Sequence, residues 1–294
     1  MTNPHAGKGK ALKILKLIQD EPLFKQEKCR SYKTSGPGDG ERLIRSLIKM
    51  HTDSVKRVIV IGGDGTLHEV VNGLSGSPPI PIGFIPAGTG NDFARGAEIK
   101  KGGVERFKEI ILNEKLTQLR LGEYRQDLKN RVFLNSLGVG LDGAVVRKAA
   151  LQKRKTILPY VSALLKSLSS FKEFEAEVII DKKKLRWKRF TMIIIANHPY
   201  FGKGMKIAPQ SSIDNQEFSV LIVEVMSKWK ILFLFISVFF GYHTRLKKVH
   251  EIKGKSIQIY PKEVILGQAD GQPVEIGKCA IRKSAQKNPF ILKV

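Results

Sequence analysis

The sequence predicts two domains: an α/β domain built on a parallel sheet, followed by an all-β, sandwich-like domain. Three observations carry this. Up to about residue 119, short β-branched runs alternate with segments of helical periodicity, and the runs end in glycine-rich turns. The rest of the chain carries strand-like segments without intervening helices of comparable regularity. At 294 residues and 42% hydrophobic, the chain is long enough for two domains and apolar enough for packed cores. The expected division is 1–119 and 120–294, with a return of the C-terminal segment to the first domain left open.

The first domain is organised around Val58-Ile-Val-Ile-Gly-Gly-Asp-Gly-Thr-Leu-His-Glu-Val-Val-Asn72. Val58 to Ile61 read as a buried parallel strand. Gly62, Gly63 and Gly65 then remove three side chains around Asp64, so a bulky ligand can reach the backbone N–H groups. Thr66 and Glu69 have the spacing of a capping box. Strand, glycine turn and helix start together make an anion site. Asp64 is the odd member, because a carboxylate in a phosphate cradle repels its ligand unless a metal or proton intervenes. That combination points to phosphoryl chemistry.

Before this element, Asn3-Pro4-His5-Ala6-Gly7-Lys8-Gly9-Lys10 reads as a glycine loop entering a helix over Ala11 to Ile18. Only two residues precede the loop, so the strand that normally leads into it is expected to be missing. Lys8 and Lys10 suit phosphate, although the pattern lacks the full G-x-x-x-x-G-K-[ST]. A short strand is expected over Lys28 to Thr34 and a helix over Glu41 to Met50. After it, a strand over Ile82 to Ile85 runs into Pro86-Ala-Gly-Thr-Gly-Asn-Asp92, with a helix from Phe93. Ligands of parallel sheets bind at the carboxyl ends of strands, so the ends at 62–66 and 86–92 are expected to face one crevice.

In the second domain, strands are expected at Val132–Leu134, Glu175–Ile180, Phe190–Ala196, Phe218–Val223 and Ser256–Tyr260. Helical stretches are expected over Arg147 to Phe171, interrupted at Pro159, and over Trp229 to Tyr242. The apolar run Ile231 to Gly241 is about half of the ~20 residues a spanning helix needs; it reads as a buried helix, with an interfacial segment as the alternative. Lys plus Arg number 51 against 27 Asp plus Glu, a formal charge of +24. Such a chain attracts nucleic acid, nucleotides or an anionic membrane, without choosing among them. The basic stretch Lys148 to Lys155, beside Tyr160, Leu164, Leu165 and Leu168, is either a solvated helix face or a contact with anionic lipid. Cys29 and Cys279 are far apart and in no metal spacing, as in a reduced cytosolic protein. The N-terminus has no apolar run of the signal-peptide kind.

Gly62-Gly63-Asp64-Gly65-Thr66 followed by Pro86-Ala-Gly-Thr-Gly-Asn-Asp-Phe-Ala-Arg95 resembles the diacylglycerol-kinase catalytic domain family, in its soluble bacterial, sphingosine-kinase-related branch. The likeness extends over nearly the whole chain, through Asn3-Pro4 with Gly7, Asn135 to Gly143, Ala196-Asn197 with Phe201 to Pro209, and Asp270-Gly271. The resemblance implies a nucleotide-binding α/β domain of phosphofructokinase and NAD-kinase type, then a β-sandwich domain bearing a lipid site. It implies ATP along Asn3, Thr34, Gly62, Gly63, Gly65, Thr66, Leu67, His68, Gly88, Thr89 and Asn91. It implies catalytic roles for Asp64, Asp270 and Gln272, and Mg²⁺ held by Asp64 and Asp214. The implied reaction transfers the γ-phosphate of ATP to the hydroxyl of diacylglycerol or a similar lipid, in phospholipid metabolism. The implied setting is cytoplasmic, with peripheral contact to an anionic membrane and no nucleic acid; a homodimer stays open.

Two positions depart from the family pattern. Asp270-Gly271-Gln272 stands where Asp-Gly-Glu is usual. An amide orients a hydroxyl but does not take its proton, a contribution of typically about 10²–10⁴-fold; Asp64 or Asp270 then becomes the working base. Asp214-Asn215-Gln216-Glu217-Phe218-Ser219-Val220 stands where Asp-Asp-Gly and a later Asp-Val are usual, which weakens a hard-cation site. Plainer readings accompany the sharp ones: Asp64 as a helix cap, Asp270 in an Asp-Gly hairpin turn, Thr89 and Asn91 as turn and cap, Asn197 and His198 as a structural turn, and His68 as an ordinary helix residue. The alternative functions are a soluble-substrate kinase of NAD-kinase type and a catalytically impaired nucleotide- or lipid-binding homologue. A nucleic-acid binder is the weakest, since no recognised module is present.

Overall fold

The computed structural model describes residues 1–51, 54–113, 115–126, 129–151, 164–168, 171–202, 204–239 and 241–292. The chain divides into two compact units, Met1–Arg120 with Ala285–Val294, and Leu121–Ser284.

The first unit is an α/β unit on a mixed four-stranded sheet. Its strands are β1 (Val58–Gly62), β2 (Ile82–Pro86), β3 (Thr117–Leu119) and β18 (Asn288–Ile291), ordered β1-β2-β18-β3. β1, β2 and β18 run parallel, whereas β3 pairs antiparallel with β18. The C-terminal segment thus completes the sheet. The helices are α1 (Lys10–Gln19), α2 (Pro22–Gln26), α3 (Asp39–His51), α4 (Asp64–Leu74), α5 (Asp92–Gly96) and α6 (Gly103–Leu112). Ala11, Ile14, Leu15 and Ile18 of α1 pack with Phe107, Ile110 and Ile111 of α6 over Ile61, Ile85 and Ile291 of the sheet. Arg106 is fully buried, but its guanidinium is satisfied by Glu109 and by the carbonyls of Phe84 and Ile291. It therefore ties α6 to both β2 and β18 without an uncompensated charge.

Three local expectations are corrected here. Lys28 to Thr34 form no strand; Lys33 alone bridges Thr2 in parallel. Residues 1–3 fill the place beside β1 instead: Asn3 N–H donates to the Ile61 carbonyl (3.1 Å) and Ile61 N–H to the Met1 carbonyl (2.9 Å). The Met1 ammonium donates to the Ile59 carbonyl, and its burial lowers its pKa to about 6. The capping box is also absent. α4 begins at Asp64 with Gly63 as its N-cap, so Thr66 lies inside the helix. Glu69 reaches away, and its carboxylate accepts from Gly38 N–H and Gly40 N–H (both 2.9 Å) at the start of α3. The helix expected from Phe93 starts at Asp92, and Asn91 before it adopts φ 53°.

The second unit pairs its strands antiparallel, in a sandwich-like assembly of β4 (Gly122–Gln126), β5 (Lys129–Phe133), β6 (Ser136–Gly140), β7 (Phe174–Ile180), β8 (Lys183–Lys184), β9 (Arg189–Ala196), β12 (Phe218–Glu224), β13 (Val249–Gly254), β14 (Ser256–Pro261), β15 (Ile265–Ala269), β16 (Gln272–Ile276) and β17 (Cys279–Lys283). A small hairpin, β10 (Tyr200–Phe201) with β11 (Met205–Lys206), stands apart. Phe133, Val178, Ile193, Ile195, Phe218 and Ile257 belong to one core. On the opposite face of β9 and β12, Met192, Ile194, Leu221 and Val223 pack with α7 (Leu141–Ala150) and α8 (Lys228–Phe239). Both faces being covered explains why Phe190 to Ala196 is apolar apart from Thr191. Much of the helical stretch expected over Arg147 to Phe171 lies outside the described residues. No described helix is long and apolar enough to cross a membrane.

Candidate functional site

In the first unit, the loops following β1 and β2 are pressed together backbone to backbone. Ala87 N–H donates to the Gly62 carbonyl at 2.7 Å and Gly88 N–H to the same oxygen at 3.2 Å. A Cβ on Gly88 would stand 2.5 Å from the Gly63 Cα, and one on Gly7 would stand 2.1 Å from the Ala87 carbonyl oxygen. Glycine is required at these positions because three chain segments converge there with no room for side chains. The Gly7-Lys8-Gly9 run has φ of 59°, 57° and 89°, a left-handed turn leading directly into α1. Neither α1 nor α4 has a side-chain cap. Two helix N-termini and a glycine crossing at strand ends form the kind of main-chain concavity that suits phosphate.

Asp64 is held by this architecture. Its carboxylate accepts from Asp92 N–H (3.0 Å) and Phe93 N–H (2.9 Å), the first amides of α5. Asp64 thus caps a helix, though α5 rather than the one that follows it. Asn3 donates to the Thr66 hydroxyl at 3.2 Å. Asn91 closes a turn on Gly88 with its amide donating to the Gly88 carbonyl and accepting its N–H, while Thr89 is exposed at the tip. Thr34 is buried, with its N–H on the Thr2 carbonyl. Leu67 is fully buried, and buried His68 contacts Asn72 one turn on, so both side chains belong to the interior.

In the second unit, Asp270 and Gly271 form the two-residue turn between β15 and β16, with φ of 50° and 78°. These are the positive values of a type I′ hairpin. The Asp270 carboxylate accepts from the N–H groups of Leu134 (2.8 Å), Asn135 (2.7 Å) and Ser136 (3.2 Å). Gln272 follows at the start of β16, partly exposed. A buried polar network extends from there. Tyr200 N–H donates to His198 Nδ1, which leaves the proton on Nε2 to donate to Asn135 Oδ1 at 2.5 Å. Burial lowers the His198 pKa to about 4, the neutral form that this bonding requires. Asn197 donates to the Leu134 carbonyl (2.9 Å) and accepts from Lys283, whose pKa burial lowers to about 8. Close by, burial raises the Asp142 pKa to about 7, offset only in part by the Gln268 amide, which is itself bonded to Ser136.

Lys283, Gln268 and Asp142 are the polar residues sequence reasoning passed over. Strand alternation offered a signal for the first: Lys283 lies in phase with Cys279 and Ile281, both buried. Asp214 sits exposed in a turn, and among the described residues no three His, Cys, Asp or Glu side chains form a group that could hold a metal. The apolar face expected at Leu164 and Leu168 is also corrected, because both are buried in the α7–α8 core. Gln152 to Lys155 and Tyr160 lie outside the described residues.

Comparison with known proteins gives this arrangement a family. The profile described as "Diacylglycerol kinase catalytic domain" matches residues 1–124, and that described as "YegS C-terminal NAD kinase beta sandwich-like domain" matches residues 135–294. The chain is 34% identical to a Bacillus subtilis protein named "Putative lipid kinase YtlR", over 99% of this chain and 97% of that one. It is 26% identical to a Staphylococcus saprophyticus diacylglycerol kinase, covering 87% and 82%. Among solved structures, a diacylglycerol kinase from Bacillus anthracis shares the fold at TM-score 0.72, with 20% identity and 99% and 95% coverage. An NAD kinase from Archaeoglobus fulgidus in complex with ATP follows at TM-score 0.55, with 13% identity and 99% and 91% coverage. The glycine crossing around Asp64 falls within the catalytic-domain match, and the chain belongs to the diacylglycerol-kinase family of phosphotransferases.

Proposed function

We propose that this protein transfers the γ-phosphate of ATP to the hydroxyl of diacylglycerol or a similar lipid at a membrane surface. The observation that supports this most is the glycine crossing of the 62–66 and 86–92 loops, with a fixed carboxylate inside it. Asn3, Gly62, Gly63, Gly65, Thr66, Gly88 and Thr89 are the residues that would hold ATP, and Asp64 suits a Mg²⁺ bound mainly through phosphates, which needs only one or two carboxylates. When bound, ATP and its cation supply the transferable phosphoryl group and neutralise its charge.

The chain's own part is positioning and electrostatics. Main-chain N–H groups and the helix N-termini favour the anionic phosphates. Asp64 cannot swing freely, because the Asp92 and Phe93 amides fix its carboxylate. It can therefore offer a fixed acceptor to a cation or to a hydroxyl proton. Gln272 can orient a hydroxyl but not deprotonate it, so the proton falls to an aspartate.

The direct test offers γ-labelled ATP and a lipid extract to the purified protein. Label should enter a lipid, and Asp64→Asn should abolish the transfer; full transfer by that variant would remove Asp64 from the mechanism. A second reading, a kinase of NAD-kinase type, draws on the likeness of fold to the archaeal NAD kinase. Phosphorylation of NAD but of no lipid, in parallel assays, would favour it.

A further inference from the structure

We infer that the outward face of α8, with the turn that follows it, docks the protein onto an anionic lipid bilayer. α8 is apolar on nearly every side, the composition of a helix buried all round. Yet only one side is covered. Ile231, Leu234, Phe235 and Val238 are buried in the core shared with α7. Trp229, Phe233 and Ile236, spaced i, i+4 and i+7, point outward with 81%, 59% and 54% of their surface exposed, and Tyr242 beyond the helix is 57% exposed. Large apolar side chains clustered on one helix face are unusual on a surface that meets only water.

The charge around this face selects the occupant. Between Glu224 and Glu251 the chain has no acidic residue, but it has Lys228, Lys230, Arg245, Lys247 and Lys248, all exposed. The Arg245 guanidinium lies 5.0 Å from the Tyr242 ring centre, so a cation and an aromatic sit together at the rim. A second copy of the chain would bring like charges together across such a face, whereas anionic headgroups neutralise them. Tryptophan and tyrosine favour the headgroup level, where the ring is partly buried and its polar atom stays wet. At 12 residues α8 is too short to span, but it suits lying in the interfacial plane. The docking element is then the 228–242 region. This inference deepens the proposed lipid reaction and rests on its membrane setting, but its test is independent of turnover.

The test mixes the full chain, without ATP, with phosphatidylcholine vesicles containing or lacking phosphatidylglycerol. In a Trp187→Phe background Trp229 is the sole tryptophan. Its emission should shift to the blue on anionic vesicles only, and added salt should reverse the shift. Phe233→Ser and Ile236→Ser should each weaken cosedimentation about tenfold; Lys228→Gln with Lys230→Gln should weaken it on anionic vesicles alone. All four side chains are exposed, so circular dichroism should be unchanged. Undiminished binding by the apolar variants would overturn the inference, as would a wild-type dimer in solution that these variants convert to monomer. Transfer of label by wild type to lipid dispersed in detergent separates the two proposals: transfer together with undiminished vesicle binding by the apolar variants means that only the docking assignment is wrong, and absence of transfer means that the lipid reaction is wrong.

Discussion

Two aspartates, one in each unit, clamp main-chain amides, and they do so in opposite surroundings. Asp64 receives two N–H groups and is partly exposed, among glycines that keep side chains away from it. Asp270 receives three, is 8% exposed, and adjoins the network of Asn135, His198, Asn197 and Lys283. A carboxylate clamped in an open, glycine-lined turn can still meet a ligand. One enclosed by amides and buried polar groups chiefly fixes the backbone around it. The difference separates a residue whose loss should be read in activity from one whose loss should be read in stability.

The largest expected effect tests the first half of that contrast. Asp64→Asn should lower phosphoryl transfer by about 10²–10⁴-fold, the range of a lost acid–base group, measured as initial rates with labelled ATP. Asp270→Asn tests the second half. Asn-Gly also suits a type I′ turn, so the hairpin is retained, but one acceptor oxygen becomes a donor facing buried N–H groups. A loss of about 2–4 kcal/mol is expected, seen as a fall in Tm of roughly 5–15 °C. Equal stability of the two variants would erase the contrast.

The buried network of the second unit also has a pH signature. His198 is held below its ordinary value, so the unfolded chain takes up this proton first as pH falls; stability is complete above about 6.5 and is lost down to about pH 4. Asp142 is held above its ordinary value, so the folded chain takes up the proton first; stability is complete below about 3.8 and is lost as pH rises through about 7. Between roughly pH 4 and 6.5 the two slopes oppose each other. Asp142→Asn should therefore expose a loss of about 3 kcal/mol on acidification across that window. His198→Gln should expose the reverse, a gain on acidification. Urea midpoints at both ends of the window check the signs; parallel slopes in the two variants would mean that neither group titrates as its burial implies.

Much of the first unit was legible because its signals are local. Val58 to Ile61 is a β-branched run closed by Gly62, Ile82 to Ile85 is a short apolar run closed by Pro86-Ala87-Gly88, and both became parallel strands. Phe190 to Ala196 was legible for the same reason, being apolar apart from Thr191. What could not be read depends on residues far apart in sequence. Nothing in Asn288 to Ile291 says that it will lie between β2 and β3. Lys28 to Thr34 looks like a strand until residues 1–3 take the place beside β1. The Asp64 cradle was visible as spacing, but its amide donors at 92 and 93 were not, because a contact across 28 residues leaves no periodic trace.

Glu69 provides the smallest effect and the calibration for the largest. Like Asp64, it holds two amides of another segment in the first unit, here Gly38 and Gly40 at the start of α3. Unlike Asp64, it lies outside the glycine crossing. Glu69→Gln should cost about 1 kcal/mol, the usual worth of a helix cap, and leave the rate of phosphoryl transfer within about twofold. If Asp64→Asn costs a similar amount of stability, the two clamps are equivalent as structure. The remaining loss of rate in Asp64→Asn then belongs to chemistry at the carboxylate. If Glu69→Gln lowers the rate as strongly, the glycine crossing is being deformed from a distance, and the activity lost in Asp64→Asn would no longer identify a catalytic group.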